Sequence, residues 1–72
     1  MRAEDAFRYN LKRKLNERGI KPKMLASKAN VSLSCIYDTC EGKSTPTVIN
    51  AWRIANGLGI TIDELFKNAT FL

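Results

Sequence analysis

Histidine is absent from the 72 residues, cysteine occurs twice, and no apolar run exceeds a few residues. Each shortage removes a class of function. Without histidine the commonest general base is missing, and neither a glycine-rich phosphate loop nor a paired-carboxylate motif takes its place. The only adjacent acids are Glu4-Asp5 and Asp63-Glu64, and a helix start accounts for the second pair, so catalysis is not expected. Two thiols with no imidazole fall short of a tetrahedral Cys and His zinc site; no metal and no cofactor is expected. Cys35 and Cys40 are five residues apart on one predicted helix, about 140° around its axis. That placement argues against a bridge between them, and both read as small reduced hydrophobes. The short apolar runs exclude a transmembrane helix, and no charged N-terminal segment leads into a hydrophobic stretch as in a signal peptide. A cytoplasmic protein with no membrane partner is expected.

What is abundant is positive charge. Twelve Lys and Arg oppose seven Asp and Glu, giving a formal charge of +5 and a pI near 9.6. Such a balance favours a polyanionic partner. The length allows a single domain, near the lower limit at which one hydrophobic core holds a chain folded without staples.

The apolar residues follow helical periods throughout. From Ala3 to Arg18, the residues Ala3, Phe7, Leu11 and Leu15 recur every fourth position with basic residues between them, the pattern of an amphipathic helix ended by Gly19. A second helix starts at Lys21-Pro22, because proline suits the first helical position, and buries Leu25, Ala26 and Ala29 before Asn30. Ser32 caps a third, running to about Cys40 with Ile36 inside and Glu41-Gly42 as its stop. The short gap between helices two and three turns the chain sharply, as in a helix-turn-helix. Thr47 caps a fourth helix with Val48, Ala51, Ile54, Ala55 and Leu58 on its inner side and Gly59 after it. Thr61 to Glu64 has the form of a capping box, with Ile60 placed to staple onto Leu65, and opens a short fifth helix ending near Lys67. Five helices without strand-like alternation, repeat or low-complexity segment indicate a compact all-α domain spanning residues 1–72.

The run RGIKPKMLASKANVSLSCIYDTCEGK, followed by TPTVINAWRIANGLGITIDELF, resembles the phage-repressor and Cro-type helix-turn-helix family of transcriptional regulators over residues 11–66. Gly19, Leu25-Ala26, Val31-Ser32, Ile36, Gly42, Pro46, Ile54-Ala55, Leu58-Gly59 and Asp63-Glu64-Leu65 fall where that family places like residues. The resemblance implies a lambda-repressor-like five-helix fold whose third helix enters the major groove of double-stranded DNA while the second lies across the backbone. It makes Leu33, Ser34 and Asp38 base readers, with Tyr37 beside them. Leucine offers an apolar surface for a thymine methyl, serine donates or accepts, and aspartate accepts from a cytosine amino group. Lys21, Lys23, Lys28 and Lys43 are the expected phosphate contacts, their charges releasing condensed counterions.

Three departures from the family pattern, at four positions, stand out. Pro22 stands where a glutamine usually opens helix two, and lacks both that side chain and an N–H. Glu41 stands where an asparagine usually meets phosphate, and DNA repels its charge. Leu15 and Cys40 stand where many members bury an Arg against a Glu. Losing one such partner strands a charge at a cost of roughly 3–5 kcal/mol, whereas replacing both with packed apolar groups is often neutral.

Ile49 and Trp52 lie off the main stripe of helix four and, with Phe66, Phe71 and Leu72, form a candidate dimer patch. Two-fold pairing would set two recognition helices about 34 Å apart, one DNA turn. The expected function is a sequence-specific repressor, a homodimer on a palindromic operator. Two alternatives use the same fold: an antitoxin that masks a small toxin partner, and a protein-interaction module in which Glu41 and Pro22 have eroded DNA binding.

Overall fold

The computed structural model of the protein describes residues 1–70. Among them are five helices in the order α1 (Ala3–Arg18), α2 (Pro22–Ala29), α3 (Leu33–Glu41), α4 (Val48–Leu58) and α5 (Ile62–Leu65). The turns follow local backbone preference. Gly19 ends α1 at φ 62°, and Asn30 ends α2 at φ 57°, conformations that glycine adopts freely and asparagine tolerates. Only Asn30, Val31 and Ser32 separate α2 from α3, the short connection of a helix-turn-helix.

The inner faces meet in one cluster that includes Phe7, Leu11, Leu25, Ile36, Ile54 and Leu65, all essentially excluded from water. Each such side chain contributes about 1.5–3 kcal/mol through burial. α2 packs most extensively on α4, and α1 is held against both α3 and α5. α2 approaches α4 tightly at Gly57, where an added Cβ would lie 2.9 Å from the Cβ, 3.0 Å from the Cα and 3.1 Å from the N of Ala29. A glycine is required there by space, not by dihedral angle.

One polar residue is built into this core. Asn10 is fully buried on α1, where its Nδ2 donates to the carbonyls of Leu65 at 2.9 Å and Lys67 at 3.0 Å. The first is a carbonyl that the end of α5 leaves without a helical donor, and the second lies two residues beyond that end. Arg13 donates to the Oδ1 of Asn10 at 3.2 Å. A second long-range tie runs from the Arg18 guanidinium to the carbonyl of Leu58, at the end of α4. At the other end of α1, Glu4 is held below its ordinary value by its own backbone N–H and by Arg2. The N–H of Thr70 donates to the carbonyl of Met1 at 2.7 Å.

Three expectations need correction. Val48 is 80% exposed. It shares the angular position of Ala55, but as the first residue of α4 it projects beyond the edge of the core. Thr61 precedes α5 in extended conformation as expected, yet its hydroxyl makes no cap and Glu64 is exposed, so the box is not formed. The Glu64 N–H instead bonds the Thr61 carbonyl at 3.2 Å. α5 stops at Leu65 rather than near Lys67, because its terminal carbonyls turn toward Asn10 and Asn68 takes up φ 72°.

Candidate nucleic-acid interface

The second and third helices place one surface with precision, and α3 is fixed at both ends. The Oγ of Ser32 accepts from the Cys35 N–H at 3.1 Å, a cap worth about 1 kcal/mol. Beyond the other end, the N–H groups of Gly42 and Lys43 bond the carbonyls of Thr39 at 3.2 Å and Asp38 at 2.8 Å. Ile36 and Thr39 face inward and are buried, which rotates the rest of the helix outward. Leu33, Ser34 and Tyr37 are exposed and Asp38 is half-buried. At 100° per residue these four positions cover about 140° of the helix surface. They form a single face carrying an apolar side chain, two hydroxyls and a carboxylate.

The lysines named from the sequence are all exposed, at the start of α2 (Lys21), along it (Lys23, Lys28) and just after α3 (Lys43). Lys43 stands 3.5 Å from Glu41. Both groups are well exposed, so that pair is worth about 0–1 kcal/mol and leaves the ammonium free to exchange partners. Among the described residues no carboxylate lies within 4.0 Å of Lys21, Lys23 or Lys28.

Leu15 is buried, and Cys40 packs half-buried against the same cluster. Burial pushes the Cys40 thiol up from its ordinary value; Lys12 opposes the shift and Glu41 adds to it. Neither cysteine is bridged, and the Nδ2 of Asn50 lies 3.9 Å from the sulfur of Cys35. Among the described residues no three Cys, Asp or Glu side chains converge as metal ligands, and no helix is long and apolar enough to cross a membrane.

The candidate dimer patch is divided by the structure. Ile49 and Trp52 are exposed, and Val48 joins them to make an apolar ridge along the first turns of α4. Phe66 goes elsewhere: its ring packs on Phe7, with centroids 5.3 Å apart and planes tilted by 54°, and it is half-buried against the core. The aromatic surface of Phe7 outcompetes solvent for it. Phe71 and Leu72 lie outside the described residues.

Sequence reasoning passed over an open furrow of about 1030 Å³ between α1 and α3. Its borders include Lys12 and Arg13 on α1, Lys21 and Pro22 at the start of α2, and Tyr37 and Cys40 on α3. The spacing of cations on α1 shows basic character, but which of them border α3 depends on how the two helices cross.

Two helices joined by a three-residue turn, the second presenting a polar outer face from a buried inner one, define a helix-turn-helix protein. The family model for Cro/C1-type helix-turn-helix proteins matches residues 11–65, well over half of the chain, and the protein belongs to that family. It is accordingly a DNA-binding transcriptional regulator. No curated protein matched the chain in sequence.

Proposed function

We propose that the protein is a sequence-specific repressor that binds a palindromic operator as a homodimer, reading bases with α3. The observation that carries this reading is the outward face of α3. Leu33, Ser34 and Asp38 project together from a helix whose ends are capped and whose inner side is locked by Ile36. A helix backbone held in this way is already ordered before it enters a groove. In the major groove Leu33 would cover a thymine methyl, Ser34 would bond a base edge, and Asp38 would accept from cytosine. Lys21, Lys23, Lys28 and Lys43 would neutralise phosphates and set the register.

Pairing through the ridge of Val48, Ile49 and Trp52 would repeat the reading head across a two-fold axis. Repression would then be steric, an occupied promoter being closed to polymerase without covalent chemistry. Selection of bound duplexes from a random pool tests the reading: enrichment of an inverted repeat supports it, and an unenriched pool overturns it. The same exposed ridge favours a second reading, an antitoxin whose α4 is covered by a small toxin. Copurification of a stoichiometric second protein from the source cells would support that reading.

A further inference from the structure

The furrow between α1 and α3 adjoins two of the residues assigned above to DNA, Lys21 and Tyr37, and continues their surface onto α1. We propose that this furrow carries one sugar-phosphate strand of the bound duplex, making Lys12 and Tyr37 phosphate-contacting residues alongside Lys21. The inference rests on the DNA reading of α3 and extends the footprint beyond the helix-turn-helix itself.

The cations that border the furrow differ in availability. Arg8 is engaged by Asp5 at 3.2 Å. Arg13 is engaged by the Oδ1 of Asn10 at 3.2 Å and by Glu17 at 3.8 Å, and its guanidinium lies 6.0 Å from the centre of the Tyr9 ring. Lys12 and Lys21 have no carboxylate within 4.0 Å among the described residues, and both are exposed. Tyr37 is 47% exposed, and its hydroxyl is free among the described residues to donate to an outside oxygen. Two unneutralised ammonium groups and a phenol thus border the furrow.

The shape selects among anions. Pockets for small molecules bury about 70–90% of the ligand surface, and so open a furrow leaves much of such a ligand in water. A polymer backbone loses nothing by this, because its remaining oxygens prefer solvent. Counterion release also rewards a polyanion and not a single small anion. The furrow further explains how Pro22 is tolerated at the start of α2: the phosphate grip lost with an N–H there is supplied from α1.

The test uses the full chain and a duplex enriched from the random pool, with affinity followed by fluorescence anisotropy across a salt series. Lys12→Gln should lower the magnitude of the slope of log K against log salt by about 0.9, the value for one phosphate contact. Lys21→Gln should do the same, and Lys67→Gln, at an exposed turn residue after α5 that does not border the furrow, should leave the slope unchanged. Tyr37→Phe should weaken binding severalfold with no change in slope. Circular dichroism of each variant confirms that the fold is retained. A wild-type slope for Lys12→Gln beside a reduced slope for Lys21→Gln overturns the furrow assignment while leaving the α3 reading intact. If the wild-type chain binds no duplex at all, the α3 reading itself fails, and the furrow assignment with it.

Discussion

Replacing Gly57 with alanine sets two effects of known size against each other. In an unobstructed helix alanine is better than glycine by about 0.8–1 kcal/mol. In α4 the new methyl would meet Ala29 of α2 at 2.9, 3.0 and 3.1 Å, and two of those three atoms are backbone. Non-bonded carbon atoms rest at about 3.5–4.0 Å, so the obstruction is several tenths of an ångström deep and no side-chain rotation relieves it. Either α2 lifts from α4 or α4 bends. Overpacking of this kind costs about 1–3 kcal/mol, and a backbone obstacle belongs in the upper half of that range. Subtracting the propensity gain leaves a net loss of about 1–2 kcal/mol. For a domain of this length each kcal/mol lowers Tm by about 4–8 °C, so thermal denaturation followed by circular dichroism should show a fall of about 5–15 °C. Asn56→Ala, at the exposed neighbouring position, should hold or slightly raise Tm. Adding Ala29→Gly to Gly57→Ala removes only the nearest of the three obstructing atoms and should restore part of the loss. A Gly57→Ala protein as stable as wild type, or more so, would refute the close-approach argument.

Other parts of the structure give equally direct expectations. Asn10→Leu removes the donor to the buried Leu65 carbonyl and the part-buried Lys67 carbonyl and should cost about 1–3 kcal/mol, the penalty of one buried acceptor left unsatisfied; urea titration measures it. Asp38→Ala should alter base preference at one operator position, whereas Lys43→Ala should weaken all duplexes alike and reduce the salt slope by about one. Equal effects of the two across all sequences would reject the assigned roles. Trp52→Ala, at a side chain that is 57% exposed, should leave the melting curve of the monomer within about 0.5 kcal/mol of wild type while abolishing dimer in sedimentation equilibrium. The Cys40 thiol is raised by burial, so the fold favours its neutral form. The corresponding stability is fully present below the unfolded thiol's value and is lost as pH rises through the folded one. Above the ordinary value of 9.0, Cys40→Ala should therefore lose less Tm on alkalinisation than wild type does.

The features legible in the sequence are those decided within a few residues. Gly19 and Asn30 mark helix ends because a left-handed backbone strongly restricts which residues fit. Ser32 and Thr47 announce helix starts because the donors they satisfy lie three residues on. The outer face of α3 follows from the same local logic once Ile36 is assigned inward. Asn10 was illegible: its partners are 55 and 57 residues away, and nothing near it in the chain distinguishes it from a solvated asparagine. Gly57 looks like a weak point in α4 until Ala29 is placed against it. Val48 shows the limit of periodicity, which fixes the angle of a side chain but not where along the axis the core ends. Phe66 and Lys12 fail for a shared reason: the surface each meets belongs to another helix, and the crossing of helices is a property of the whole packing.

The hydrogen bond between Thr70 and Met1 makes neighbours of the head and tail of the described chain. In a chain engineered from the described residues, a short peptide bridge from Thr70 to Met1 and a cut between α3 and α4 would give the order α4, α5, α1, α2, α3. Such a rearrangement changes which helices a growing chain completes first without changing which ones touch. In such a chain the recognition pair would become the last portion to leave the ribosome.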